Sequence, residues 1–151
     1  MKNILEIKNK LYEACLLVVE EKRHTVVSII ESNKKALFSE TKSSAGDKHE
    51  TGRAMLQLEM EKASQQLASI SEMKETLAKI PTKKTSEIIC LGSLIQTTKA
   101  NYYLAISVGK ITIENNDYYA ISINSPVGKQ LLGKKNGNFI PFNEAEILSV
   151  F

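Results

Sequence analysis

The stretch S-S-A-G-D-K-H-E-T-G-R, residues 43–53, lies between two long segments that contain no proline. Residues 3–40 also lack glycine, and residues 50–79 contain a single glycine near their start. Residues 41–46 are small and polar and include a glycine, which is typical of a turn. The sequence therefore predicts a helical hairpin over residues 1–80, with its tip at residues 43–53.

Both segments carry apolar residues at alternating spacings of four and three, as one face of a long helix does. The first face consists of Leu5, Asn9, Tyr12, Leu16, Val19, Arg23, Val26, Ile30, Asn33 and Leu37. The second consists of Leu56, Met60, Ala63, Leu67, Ile70, Lys74 and Leu77. Two such faces joined by a short turn predict an antiparallel coiled coil.

Two acidic residues stand where the second helix should begin. Asp47 occupies a suitable N-cap position, and Glu50 matches the third helical position of a capping box. One interpretation is that both acids only cap the helix. The other is that they also do chemistry at an exposed tip, and a capping role does not exclude this.

Beyond residues 81–85, which contain Pro81 and predict a linker, the pattern changes. Residues 87–96, 102–108, 120–123 and 146–150 are rich in β-branched and apolar residues and predict strands. Ser125 and Pro126 predict the N-cap and first position of one short helix, which Gly133 should end. Residues 86–151 should thus form a small antiparallel sheet with one helix. In the pairs Tyr102-Tyr103 and Tyr118-Tyr119, we expect one ring of each pair in the core.

Composition narrows the class of protein. The chain has 151 residues, a net charge of +3 and 25% charged residues, which is too mild a basic excess to mark a nucleic-acid binder by itself. Cys15 and Cys90 lie far apart and histidines are not clustered, which disfavours a structural zinc site. Reduced thiols are a simpler interpretation than a disulfide. No signal-peptide or membrane-spanning apolar run is present, so we expect a cytoplasmic protein without a membrane partner.

Residues 121–134, I-S-I-N-S-P-V-G-K-Q-L-L-G-K, closely resemble the C-terminal signature of the bacterial Gre transcript-cleavage factors. In that family an S-P-x-x-x-x-L-x-G-K element precedes the last strands of an FKBP-like domain. Residues 46–50, G-D-K-H-E, are similar to the G-D-x-x-E at the tip of the family's coiled coil. The order of hairpin, linker and small β domain also matches. The resemblance therefore implies an α+β chain with a coiled-coil hairpin followed by an FKBP-like domain.

The resemblance also implies a function. Gre factors bind RNA polymerase through the C-terminal domain and insert the coiled coil into the secondary channel, where the polymerase hydrolyses backtracked RNA. Asp47 and Glu50 match the tip acids that help hold a Mg²⁺ ion and a water there. Such a protein is not an enzyme alone, and it binds the metal only in the complex. We expect Ser125, Pro126, Lys129 and Lys134 to contact the polymerase, and the basic residues around the tip to meet nascent RNA. The protein should be a monomer with no tightly bound cofactor.

The chain departs from the family pattern beside the tip acids. Where the family usually continues N-A-E-Y, this chain has Thr51, Gly52, Arg53 and Ala54, so a base replaces an acid. The second hypothesis is therefore a channel binder that regulates polymerase without stimulating cleavage. A prolyl isomerase or chaperone-like module is a third, weaker hypothesis, because an FKBP-like fold does not carry that activity with it.

Overall fold

The computed structural model describes residues 2–42 and 47–151, and within them the side chains of residues 3–39 and 51–151. Two long helices come first, α1 (Lys2–Lys42) and α2 (Asp47–Ala78). Both are confirmed to within a few residues of their predicted ends. Of the predicted tip, residues 43–46 lie outside the described residues, and α2 begins with its first acid, Asp47.

The two helices form an antiparallel hairpin. The chain divides into two compact units; one is Val19–Met73 and the other is Met1–Val18 together with Lys74–Phe151. The first unit holds the later part of α1 and most of α2, whereas the second holds the start of α1 and the end of α2. Within the unit Val19–Met73 the C-terminal part of α1 lies beside the N-terminal part of α2, where Asn33 donates a hydrogen bond to Glu59, so the two helices run in opposite directions. From the sequence we predicted that the two parts of the chain are separated by the linker at residues 81–85. The compact units of the structure instead divide within α1 and α2.

The predicted apolar face of α2 is its buried face. Ala63, Ile70 and Leu77 are buried, and Leu56, Met60 and Leu67 are half-buried. Lys74, the charged position of that face, is exposed. Four polar residues between these positions are exposed: Glu59, Lys62, Gln65 and Gln66.

The predicted face of α1 is correct along the hairpin and displaced near the N-terminus. Val19, Val26 and Asn33 are buried at predicted positions. Earlier in the helix the buried residues are instead Ile7, Leu11 and Cys15, and Asn9 is exposed. The early turns belong to the same compact unit as the sheet, so their buried face is not determined by α2 alone.

The C-terminal part is a six-stranded sheet with one short helix, α3 (Pro126–Leu131), which gives the chain an α+β architecture. The strand order is β3-β4-β2-β1-β6-β5. The strands are β1 (Leu94–Thr97), β2 (Asn101–Ala105), β3 (Gly109–Ile113), β4 (Asn116–Ser122), β5 (Phe139–Ile140) and β6 (Ala145–Val150).

The prediction of a wholly antiparallel sheet is wrong at one pair of strands. β2 and β4 are parallel, with Tyr102 opposite Tyr119 and Leu104 opposite Ile121. The reason is that β3 lies at the edge of the sheet, outside β4, and not between β2 and β4. The chain passes along β3 and returns in β4, so β4 enters beside β2 in the same direction.

The strand predicted over residues 87–96 is also too long. Only Leu94 onward belongs to β1, and Ile88 makes a single isolated bridge to Lys135. Gly92 has a φ of 91°, which lies in the left-handed region, and the amide of Ser93 donates to the carbonyl of Cys90 at 3.0 Å. This turn interrupts the apolar run, because the chain reverses over residues 90–93 and does not stay extended there.

Each face of the sheet has its own cover. On one face Ile95, Leu104 and Ile147 pack in a buried cluster with Leu131 of α3. On the other face lies Tyr103, which is adjacent to Cys15 and Tyr12 of α1. Successive residues of a strand point to opposite faces, which is why neighbouring residues of β2 serve both sides.

The tyrosine pairs divide differently from the prediction. Tyr118 is buried and Tyr119 is partly exposed, as predicted, but Tyr102 and Tyr103 are both buried. The prediction for the first pair is wrong because β2 is central and covered on both faces. Within residues 2–42 and 47–151, no helix has both the length and the apolar character needed to cross a membrane.

Candidate functional site

The predicted tip acids belong to the first turn of α2. Helix α2 begins at Asp47, and Glu50 follows three residues later. The side chains of residues 47–50 lie outside the described residues, so the predicted metal role of Asp47 and Glu50 stays a prediction. The backbone places both acids at the end of the hairpin where α2 starts. That end is the N-terminal end of a helix dipole, which favours negative charge.

The departure from the family pattern lies in the next helical turn. Arg53 and Ala54 are exposed on α2, and Gly52 is half-buried. The arginine thus presents a positive charge to solvent close to the start of the helix. At this terminus a base is less favourable than an acid, because the partial charge of the helix end is itself positive.

Ser125 is a structural cap. Its Oγ accepts a hydrogen bond from the amide of Gly128 at 3.0 Å and donates to the carbonyl oxygen of Ser122 at 2.6 Å. Pro126 occupies the start of α3, as predicted. The prediction that these two residues begin the short helix is therefore confirmed.

Gly128, Leu131 and Gly133 of the same sequence element are also required by the local structure. A Cβ on Gly128 would overlap the carbonyl oxygen of Ser122, so this position has no room for a side chain. Leu131 is fully buried in the core cluster. Gly133 has a φ of 83° and its amide donates to the carbonyl of Ile89 at 2.9 Å. Much of the S-P-V-G-K-Q-L-L-G-K sequence is therefore explained by the structure of α3 and of the turn that follows it.

The two predicted lysines differ in exposure. Lys129 lies on α3 and is exposed, whereas Lys134 is half-buried. The backbone of Lys134 joins the segment before β1, since its carbonyl accepts from the amide of Ile89 at 2.8 Å. In the described part of the chain neither ammonium group forms an ion pair. Their predicted contact with a partner stays a prediction.

Near α3 lie exposed apolar side chains that were not predicted from the sequence. We call Leu132, Phe139 and Phe142 the α3 apolar surface; Phe139 and Phe142 are each 61% exposed. The segment is anchored to α3, because the amide of Phe142 donates to Oε1 of Gln130 at 2.8 Å. Phe139 is exposed and Ile140 is buried, as in a strand, but a strand of two residues is too short to be recognised from alternation in the sequence.

A buried polar side chain makes a contact between the two helices of the hairpin. Nδ2 of buried Asn33 donates to Oε2 of Glu59 at 3.2 Å. Beside it runs an open groove that includes His24, which is exposed. Among the residues that the structure describes, no group of three or more histidine, cysteine, aspartate or glutamate side chains could hold a metal ion.

No protein-family model matches the chain, and no curated protein matches it in sequence. The Gre resemblance therefore rests on the two short motifs and on the order of the parts.

Proposed function

We propose that this protein is a Gre-like transcription elongation factor that binds RNA polymerase at the secondary channel and promotes cleavage of backtracked RNA. The observation that carries the proposal is the combination of an acid pair in the first turn of α2 with the S-P-V-G-K-Q-L-L-G-K element in the C-terminal part. A hairpin with acids at its end is a suitable device for delivering carboxylates into a narrow channel.

In this proposal the protein supplies half of an active site. Mg²⁺ prefers oxygen ligands and often takes only one or two carboxylates from a protein. Asp47 and Glu50 would supply them, and the polymerase would supply the remaining ligands. The metal ion, when bound, would polarise the water that attacks the RNA phosphodiester. The protein would thus be a cofactor of polymerase, and not an enzyme by itself.

We further propose that the C-terminal part is FKBP-like and docks on the polymerase. The mainly antiparallel sheet with one short helix on a face is compatible with that fold. Docking would use the α3 apolar surface together with Pro126, Lys129 and Lys134, while Ser125 holds the helix in place. Exposed aromatic rings near a basic residue are frequent anchors of protein interfaces. Nascent RNA would lie near the tip, and the protein would act in the cytoplasm as a monomer.

The second candidate is a channel binder that regulates polymerase without stimulating cleavage. The observation that favours it is the exposed Arg53 in the turn after the acids. A positive charge there would weaken the attraction of the tip for a metal ion. The two candidates share the partner and the docking surface and differ only in chemistry at the tip.

RNA shortening in backtracked polymerase complexes tests both candidates. The wild-type protein should shorten the RNA, and Asp47→Asn and Glu50→Gln should each lose most of that activity while still binding. Arg53→Glu should increase cleavage, because it replaces the base with an acid. Binding without RNA shortening by the wild type would favour the second candidate, and absence of binding to polymerase would reject both.

A stability measurement separates capping from chemistry at Asp47. Asp47→Ala should cost about 1 kcal/mol if the side chain caps α2, whereas Asp47→Asn should retain most of the cap. If the Asn variant folds normally and stimulates RNA cleavage by the polymerase as well as the wild type does, the role of Asp47 is structural.

A further inference from the structure

Lys8 of α1 is a buried lysine without an acidic partner. Only 5% of its surface is exposed. Its Nζ donates one hydrogen bond, to the carbonyl oxygen of Lys84 at 3.0 Å. Within the described ranges, no aspartate or glutamate forms an ion pair or hydrogen bond with it. An ammonium group has three donors, so two N–H groups of Lys8 are left for another acceptor.

A buried charge needs compensation. Removing an ammonium group from water is costly unless a counter-charge or several hydrogen bonds replace the water. Burial lowers the pKa of Lys8, and the nearby Cys90 thiol acts in the opposite direction. One carbonyl oxygen and a thiol give the ammonium group few acceptors.

Lys8 lines a cavity of about 190 Å³ in the compact unit that contains the sheet. Its walls come from the start of α1 and from the segment that follows α2, including Lys84, Thr85, Cys90 and Ser93. Lys8 and Ser93 are buried, whereas Lys84, Thr85 and Cys90 are exposed. The cavity therefore has two buried polar side chains, those of Lys8 and Ser93, and a mouth open to solvent. Drug-sized and cofactor pockets usually occupy roughly 300–1,000 Å³, so this one suits a smaller ligand.

The other polar groups of the cavity can also donate. Oγ of Ser93 accepts from the amide of Cys90 at 3.0 Å, and the hydroxyl lies 3.7 Å from Sγ of Cys90. The strongest acceptor available to the Ser93 hydroxyl proton in these contacts is therefore a thiol, which is a weak one. Lys84 lines the cavity too, and its carbonyl oxygen is the acceptor for Lys8. A buried ammonium group and a hydroxyl in a small cavity whose lining residues include no carboxylate favour an anion.

We propose that this cavity binds a small oxyanion such as inorganic phosphate, with Lys8 as its principal ligand. The anion supplies the counter-charge that Lys8 lacks, and its oxygen atoms accept hydrogen bonds from the two remaining N–H groups of Lys8. The Ser93 hydroxyl donates to a second oxygen of the anion. The inference is independent of the proposed role at the polymerase, since none of these residues lies at the tip or in the α3 apolar surface.

The competing explanation is that Lys8 serves only to hold the segment after α2 in place through the Lys84 carbonyl. In that case phosphate has no effect beyond ionic strength. Isothermal titration calorimetry with sodium phosphate, against sodium chloride of matched ionic strength, distinguishes the two. The wild type should bind about one phosphate per chain. Lys8→Met should weaken binding about tenfold or more, which is the usual effect of losing a charge-assisted hydrogen bond.

Lys99→Met is the matched control, because Lys99 is an exposed lysine of the same compact unit that does not line the cavity. It should bind phosphate as the wild type does. Absence of binding by the wild type, unchanged binding by Lys8→Met, or an equal loss in Lys99→Met would each overturn the proposal.

A second measurement needs no variant at Lys8 and therefore does not depend on how that variant folds. Cys90 lines the mouth of the cavity, so bound phosphate should slow its alkylation by iodoacetamide several-fold relative to matched chloride. Equal alkylation rates in phosphate and chloride would contradict occupation of the cavity.

Discussion

Asn33 of α1 and Glu59 of α2 join the two helices of the hairpin, with Nδ2 of the asparagine 3.2 Å from Oε2 of the glutamate. Asn33 is buried on the predicted apolar face of α1. A polar residue at such a position fixes the alignment of helices at a cost in stability. The pair therefore sets which turn of α1 lies beside which turn of α2.

Replacement of Asn33 should separate the alignment role from stability. Asn33→Ala should lower the free energy of unfolding by about 1 kcal/mol, because the hydrogen bond and side-chain packing are lost. Asn33→Leu should be about 1–2 kcal/mol more stable than the alanine variant, because it buries apolar surface in the seam. Urea denaturation followed by circular dichroism measures both.

Ser32→Leu is the control for that comparison, because Ser32 is the exposed neighbour on the same helix. It should change stability by less than about 0.5 kcal/mol. Equal stability of Asn33→Leu and Asn33→Ala would show that position 33 is not part of a packed seam.

Gly128 and Gly133 should respond very differently to alanine. Gly128→Ala should lower the free energy of unfolding by about 3 kcal/mol or more, because the new methyl group overlaps the Ser122 carbonyl. Gly133→Ala meets open space and should cost only about 1 kcal/mol, through its left-handed φ. Chemical denaturation of the two variants under identical conditions checks this. Similar losses in both would mean that backbone close to Ser122 adjusts easily.

The two cysteines should differ in reactivity. Cys15 is fully buried, and burial raises its pKa to about 11, whereas Cys90 is exposed. Because the thiolate is the reactive form, a disulfide reagent at pH 8 should titrate one thiol quickly and the second only on unfolding. Cys90→Ser should remove the fast phase, and Cys15→Ser should leave it intact. A fast phase that survives in Cys90→Ser would contradict the burial of Cys15.

Alkaline pH should destabilise the protein partly through Tyr103. Burial raises the pKa of Tyr103 above its ordinary value of 10.0, with smaller contributions from Cys15 and Tyr12 in the same direction. A raised folded-state pKa means that the unfolded chain loses the proton first. The stabilisation is complete below about pH 10 and is lost as the pH rises above that value. Tyr103→Phe should therefore flatten the decline of melting temperature above pH 10.

Tyr119→Phe is the matched control, since Tyr119 lies on the adjacent strand and is 39% exposed. Its melting temperature should follow the wild-type pH profile. If the Tyr103 and Tyr119 variants give the same profile, ionisation of the buried ring does not limit stability at high pH.

The sequence by itself determined the elements whose signals are local. The α2 face and the middle of α1 followed from the four-three spacing, because a helix facing one other helix buries one stripe. The start of α3 followed from Ser125 and Pro126, because an N-cap bonds only to amides of its own first turn. The signals for these elements lie within a few residues of the elements themselves.

Only the tertiary structure decided features that depend on contacts between distant residues. The parallel pairing of β2 with β4 depends on the position of β3 at the edge of the sheet. The sequence of a single strand does not determine the order of the strands. The burial of both Tyr102 and Tyr103 needs covers on two faces of the sheet, supplied by α3 and by the start of α1. The cavity at Lys8 needs a helix and a segment 76 residues further along the chain to meet. A lysine in a helical sequence predicts a solvated charge, and its burial follows only from that meeting.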